Sequence, residues 1–254
     1  MIIWLASYPK SGNTYVRTLL SAYFFSKEGN FDFKNLKSIK QFPSKQLFKK
    51  IGVTTNDTNE ILNNYIKAQE YINERAPLIL LKTHSSMFNI NNNTFTDFNN
   101  TLGVIYIVRD PRNVVSSFAH HYNLDLKESS NKMISDSLLG ESSDKKVFTY
   151  MFSWKNNYNS WKLFLKKKKY LLVKYENLIK KPKDELLKML HFIFDLSNNK
   201  SSIDIQKVDN VINSTTFEKL KNLENKFGFE EKSSKMKNNF FNLGKQNKWQ
   251  ETLD

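Results

Sequence analysis

Four apolar runs of strand length punctuate the chain: residues 1–8 (MIIWLASY), 78–81 (LILL), 103–108 (GVIYIV) and 170–173 (YLLV). None alternates with polar residues, so each is expected to be covered on both faces. Between them the period changes. Val16, Leu19, Leu20 and Tyr23 fall at helical spacing over 14–25, as do Ile61, Leu62, Tyr65, Ile66 and Ile72 over 59–75. Helices are also predicted over 113–122, where Pro111 suits a first turn, over the aromatic-rich 148–165, and over 184–194 behind Pro182. Residues 31–58 show no regular period, 89–100 read as an Asn-rich loop or short edge element, and 127–146 as a polar, Ser-rich connection. Short helices are expected up to residue 225, then a polar tail through Phe240-Phe241-Asn242-Leu243-Gly244.

Apolar strands separated by helices predict an α/β fold, a central parallel sheet flanked by helices. One domain over residues 1–254 accommodates it, since a single core can serve that length. Such sheets bind ligands beyond the carboxyl ends of their strands. Three polar clusters stand at those ends: Lys10-Ser11-Gly12-Asn13-Thr14, Lys82-Thr83-His84 and Arg109-Asp110-Pro111-Arg112. Their convergence points to a nucleotide-binding protein.

Composition narrows this further. With 39% apolar and 14% aromatic residues the chain can fill a core, which excludes extended disorder. The absence of cysteine excludes disulfides and thiolate metal sites. No run reaches the roughly 20 apolar residues that span a bilayer. No basic segment followed by a long apolar stretch marks a secretory signal, so a soluble cytoplasmic protein is expected. The net charge of +14 would suit a nucleic acid, but only four of the 39 basic residues are arginine (Arg17, Arg75, Arg109, Arg112). An excess of solvated lysine argues against a nucleic-acid partner and supplies a field that favours a multiply anionic ligand.

The first cluster lies between a strand and a helix, where unpaired N–H groups and the helix dipole favour an anion. Gly12 lets the backbone approach a phosphate, Ser11 and Thr14 offer hydroxyls, and Lys10 supplies charge. The lysine precedes the glycine, so this is not a Walker A loop. Arg109 ends a strand with a planar fork suited to two phosphate oxygens. His84 titrates near neutrality and can take a proton from an attacking hydroxyl. His191, in an apolar helical stretch, reads as structural.

These clusters carry a resemblance. Tyr8-Pro9-Lys10-Ser11-Gly12-Asn13-Thr14-Tyr15 resembles the 5'-phosphosulfate loop, YPKSGTTW, of the PAPS-dependent sulfotransferases, whose donor is 3'-phosphoadenosine-5'-phosphosulfate (PAPS). Asn13 and Tyr15 depart from it but keep a hydrogen-bonding group and an aromatic face. Residues 106–117 resemble the family's 3'-phosphate motif, an arginine followed eight positions on by a serine, here Arg109 and Ser117. Lys82-Thr83-His84 resembles the KTH segment, Tyr175-Glu176-Asn177-Leu178 the YED segment, and Ser214-Thr215-Thr216-Phe217 the TSF segment. The family's RKGxxGDW is matched here by Gly244 and Trp249, with Asn242 and Leu243 where relatives carry cations.

The resemblance implies a P-loop-like sulfotransferase fold and transfer of a sulfuryl group from PAPS to a hydroxyl or amine, releasing PAP without a metal. It casts His84 as the base, Lys10 as the cation on the leaving phosphate restrained by Ser117, and Lys82 as support for the sulfuryl oxygens. Ser11, Gly12, Asn13 and Thr14 would line the donor's 5' end. Arg109, Ser117 and Gly244 would hold its 3'-phosphate, with Lys245 as the nearest replacement cation. Tyr15, Tyr175, Thr215 and Phe217 would border the adenine. His120 aligns with a family histidine given a packing role. The acceptor, whether small molecule, glycan or lipid, is left open. Two other readings share these residues: a non-catalytic polyanion- or nucleotide-binding protein on the same fold, and a small-molecule kinase. The kinase would need a Walker A lysine and a Mg²⁺-binding carboxylate that these motifs lack.

Overall fold

In the computed structural model, residues 1–137, 139–140, 147–232, 239–241 and 249–251 are described. The first half runs β1 (Ile2–Ser7), α1 (Asn13–Phe25), α2 (Phe33–Leu36), α3 (Lys45–Lys50), α4 (Thr58–Asn63), α5 (Tyr65–Asn73), β2 (Ile79–Thr83), β3 (Asn89–Ile90), β4 (Asn93–Thr94), β5 (Thr101–Val108) and α6 (Pro111–Tyr122). Then come α7 (Leu126–Ile134), β6 (Leu139–Gly140), β7 (Thr149–Tyr150), α8 (Trp154–Ser160), a 3-10 helix (Trp161–Lys167) and β8 (Tyr170–Lys174). The last described elements are α9 (Tyr175–Lys180), α10 (Pro182–Leu196), α11 (Ile205–Ser214), α12 (Phe217–Phe227) and a 3-10 turn (Trp249–Glu251).

All four apolar runs are strands of one parallel sheet, in the order β2-β1-β5-β8. Their lack of alternation is explained by the two cores that cover them. Ile3, Leu5, Ile105, Ile107 and Val173 pack with Leu19, Leu20, Leu186, Leu190 and Val211 on one face. Ile2, Trp4, Val104 and Tyr106 pack on the other with Phe42, Tyr65, Phe95, Trp161 and Phe164. Successive side chains therefore alternate between two apolar layers. Trp4 is fully buried, and its indole N–H is satisfied by Thr101 Oγ1 at 2.9 Å. The chain leaves β1 for β2 on one side, then crosses to β5 on the other. That reversal puts a switch-point crevice beyond the carboxyl end of β1.

Four segments differ from the sequence expectation. The helix predicted over 59–75 is two, parted at Asn64, whose side-chain amide donates to Glu60 O at 2.8 Å and competes with the helical ladder. Residues 31–58 hold the short α2 and α3, each started by a side-chain cap, Asp32 and Ser44. The polar connection contains α7, opened by a capping box between Asp125 and Glu128. The helix predicted over 148–165 begins only at Trp154, capped by Ser153, and tightens into the 3-10 helix; Thr149 and Tyr150 pair instead with β6.

Candidate active site

The carboxyl end of every strand in the sheet delivers a residue of one site. β1 leads into the loop holding Lys10, β2 into His84, β5 into Arg109 and β8 into Tyr175. The β1–α1 loop is held from beneath by Tyr8, 1% exposed, whose ring stacks on Phe118 with centroids 6.1 Å apart. The loop turns sharply because Lys10 (φ 65) and Gly12 (φ 99) are both left-handed. At Gly12 the requirement is double, since a Cβ would lie 2.3 Å from Cδ2 of Tyr175. The loop closes with Ser11 N donating to Tyr8 O at 3.4 Å, and the first helical bonds run from Tyr15 and Val16 to Gly12 O, at 3.0 and 3.2 Å. Asn13 turns its side chain inward, donating to Leu5 O at 2.9 Å and to Ser7 Oγ at 3.2 Å, so that amide braces β1.

Three cations converge on this loop. Burial, then the nearby Lys82 and Arg109, lower the Lys10 pKa to about 7, with Glu231 opposing them. Its Nζ lies 3.4 Å from His121 Nδ1 and 4.3 Å from the centre of the Phe240 ring. Arg109, 7% exposed, donates from Nη1 to Lys10 O at 3.2 Å and lies 4.4 Å from the centre of the Tyr175 ring. Burial lowers the Arg109 pKa against the counter-pull of Tyr175, Glu176 and Asp110. Two buried donors of the site, Ser11 Oγ and Arg109 Nε, have no hydrogen-bond partner among the described residues. Polar groups are seldom buried so, and beside three cations this set fits an anionic ligand with several acceptor oxygens.

Tyr15 extends the aromatic wall of Tyr175. Its hydroxyl is bonded to Thr215 and, chiefly through burial, pushed up to about 12. Phe217 opens α12 beside Phe241, with ring centroids 6.5 Å apart. Ser117 lies on α6, one turn from both Asn113 and His121 on the same helix face. Asn113 accepts from Trp249 N at 2.9 Å, and Arg112 stacks on the Trp249 ring at 4.0 Å, bringing the end of the chain against that helix. Gly244 and Lys245 lie outside the described residues, as do Asn242 and Leu243.

His84 is fixed in one tautomer. Its Nδ1 lies 2.9 Å from Ser7 O, and a carbonyl only accepts, so the proton sits on Nδ1 and the lone pair on Nε2. Asn157 holds the backbone, donating to His84 O at 3.0 Å. A lone pair on Nε2 suits this histidine to take a proton.

Sequence reading missed Glu231, His121 and Phe240. Glu231 accepts from Thr14 Oγ1 at 3.0 Å and Lys82 Nζ at 3.4 Å, and pairs with Arg17. Lys82, Arg17 and Thr14 outweigh burial and hold its carboxyl far below the usual carboxylate range. The one signal for it is an acidic pair, Glu230-Glu231, near lysine-rich sequence. Among the described residues no three His, Asp or Glu side chains group to hold a metal, and no helix is long and apolar enough to cross a membrane.

A family model described as the sulfotransferase domain matches residues 2–254. Cytosolic sulfotransferase 7 of Arabidopsis thaliana is 30% identical over 132 residues, 51% of this chain and 40% of that protein. Flavonol 3-sulfotransferase of Flaveria bidentis is 26% identical over 257 residues, 97% of this chain and 75% of that protein. The same fold occurs in retinol dehydratase in complex with androsterone and PAP, with a TM-score of 0.59 at 16% identity, covering 100% of this chain and 76% of that one. It occurs also in a mouse sulfotransferase complexed with PAP, with a TM-score of 0.53 at 19% identity over 87% of this chain. The chain spans 40% of the Arabidopsis protein and 65% of the mouse one, short of two thirds of either.

Proposed function

Because the chain belongs to the sulfotransferase domain family, we propose that it transfers a sulfuryl group from PAPS to the hydroxyl or amine of a small-molecule acceptor. The observation that carries this reading is the meeting of Lys10, Lys82 and Arg109 with the unpartnered donors Ser11 Oγ and Arg109 Nε at one switch point. In the proposed reaction His84 Nε2 takes the acceptor's proton as the acceptor oxygen or nitrogen bonds to sulfur. The sulfur–oxygen bond to the donor's phosphate breaks, and the charge that builds on that phosphate falls to the Lys10 ammonium. Lys82 and Thr14 face the anionic end, with Ser11, the N–H groups around Gly12 and Asn13 completing the cradle. Arg109 and Ser117 take the 3'-phosphate, with Gly244 and Lys245 assigned there from sequence alone. Tyr15, Tyr175, Thr215 and Phe217 border the adenine. Catalysis is then positioning and charge stabilisation, with no metal in the step.

A flavonol enzyme among the relatives supports a small-molecule acceptor, and a relative named cytosolic supports the cytoplasm as the place of action. Thermal shift with PAP, PAPS, ATP and NADP tests the donor before any acceptor is known. PAP and PAPS are expected to raise the melting temperature more than ATP does; equal shifts with ATP would refute the assignment.

A further inference from the structure

Glu231 is the best-anchored acid of the site, and the proposed reaction has no use for it. It follows α12, four residues beyond Phe227, and reaches the sheet's carboxyl end with both oxygens engaged. One oxygen pairs with Arg17. The other accepts from Thr14 Oγ1 at 3.0 Å and from Lys82 Nζ at 3.4 Å. Thr14 is the second residue of α1, and Lys82 the last but one of β2. Resting on the PAPS reading above, these are two of the side chains assigned to the donor's anionic end.

We infer that the Glu231 carboxylate competes with the donor for Thr14 and Lys82, and that donor binding displaces it. A carboxylate oxygen and a phosphate or sulfuryl oxygen ask for the same donors, and two anions on one ammonium repel each other. The displacement is local because Arg17 does not depend on Glu231 alone. Its Nη2 also donates to Leu36 O at 3.3 Å and Ile39 O at 3.0 Å. Arg17 therefore stays anchored to the end of α2 and the residues after it when the carboxylate swings away. Glu230 beside it is tied to Lys37 at 2.6 Å, an exposed pair that can keep the neighbouring backbone in place. Glu231 thus acts as an internal anion that keeps Thr14 and Lys82 oriented and discriminates against ligands too weakly charged to replace it.

The test is calorimetric titration of wild type, Glu231→Gln and Glu231→Ala with PAPS and with PAP, each variant checked for an unchanged far-UV spectrum. Glu231→Gln keeps size and shape, so the fold survives loss of the charge; Glu231→Ala removes the competing group altogether. Apparent affinity scales with the fraction of protein in the competent arrangement, so both variants should bind PAPS about tenfold more tightly. PAP, which lacks the sulfuryl group, should gain less. Unchanged affinity in both variants would overturn the inference. Weaker binding would overturn it too, because Glu231 would then be a brace the donor needs. If wild type binds neither ligand, the PAPS reading itself fails, and the inference falls with it.

Discussion

On the proposed function, Lys10 should make donor binding a proton-coupled event. In the protein alone its pKa stands at about 7, lowered by burial and by the cations of Lys82 and Arg109. A phosphate placed against Nζ supplies the missing counter-charge and raises that pKa. The sign follows from comparing the two states. Well below pH 7 the lysine is charged with or without ligand, and binding takes up almost no proton through it. Above pH 7 the ligand-free lysine is mostly neutral, so binding draws a proton from solvent. Uptake should be about half a proton at pH 7 and about 0.9 at pH 8. PAP affinity should then fall by up to tenfold, about 1.4 kcal/mol, for each pH unit from 7 towards the raised pKa of the complex. Four titratable neighbours leave this window clear, and the Lys10→Met control separates the lysine from His121, 3.4 Å from Nζ. His120 is lowered by burial and by Lys10, Tyr15 stands at about 12, Tyr175 is raised by burial, and Glu231 is held far below the carboxylate range. The ligand's phosphates ionise near pH 6. Calorimetry between pH 7.5 and 9, in two buffers of different ionisation enthalpy, measures the uptake directly, and Lys10→Met should abolish it. A flat affinity with no proton uptake, or uptake that survives Lys10→Met, would refute the reasoning.

Arg109→Ala should weaken PAP binding by roughly 1.5–3 kcal/mol, the range for a hydrogen bond to a charged group, and should reduce the preference for PAP over AMP. Unchanged affinity by calorimetry would place the 3'-phosphate elsewhere. His84→Ala should nearly abolish transfer while leaving PAP affinity close to wild type, since the proposed reaction assigns its Nε2 to the acceptor; loss of PAP binding would give it a donor-side role. Gly12→Ala should lower both the melting temperature and PAP affinity, because a Cβ there sits 2.3 Å from Tyr175 in a left-handed backbone (φ 99). An unaffected variant would mean that Tyr175 does not wall the loop.

The strands were legible because a doubly covered parallel strand writes itself as an unbroken apolar run, as in residues 103–108. The loops after them were legible because each works as a contiguous stretch: Lys10 to Tyr15 is a single turn and helix start. The α7 helix left a signal, Asp125 with Glu128 three residues on, but its polar face masked the period. Glu231 left only an acidic pair with Glu230, which names no partner. Its partner Arg17 is 214 residues away, and nothing local in either segment encodes that meeting. The same holds for Phe240 against Lys10, where the contact depends on the chain returning over α6.

Transfer itself is the most direct test of the account. Purified protein is incubated with 35S-labelled PAPS and a panel of phenols, alcohols and amines, beside His84→Ala under the same conditions. The account predicts a labelled product with at least one acceptor, PAP released in equal amount, and a loss of both in the variant. PAP binding with no labelled product from any member of the panel would contradict it, and would leave a nucleotide-binding protein that keeps the fold without the reaction.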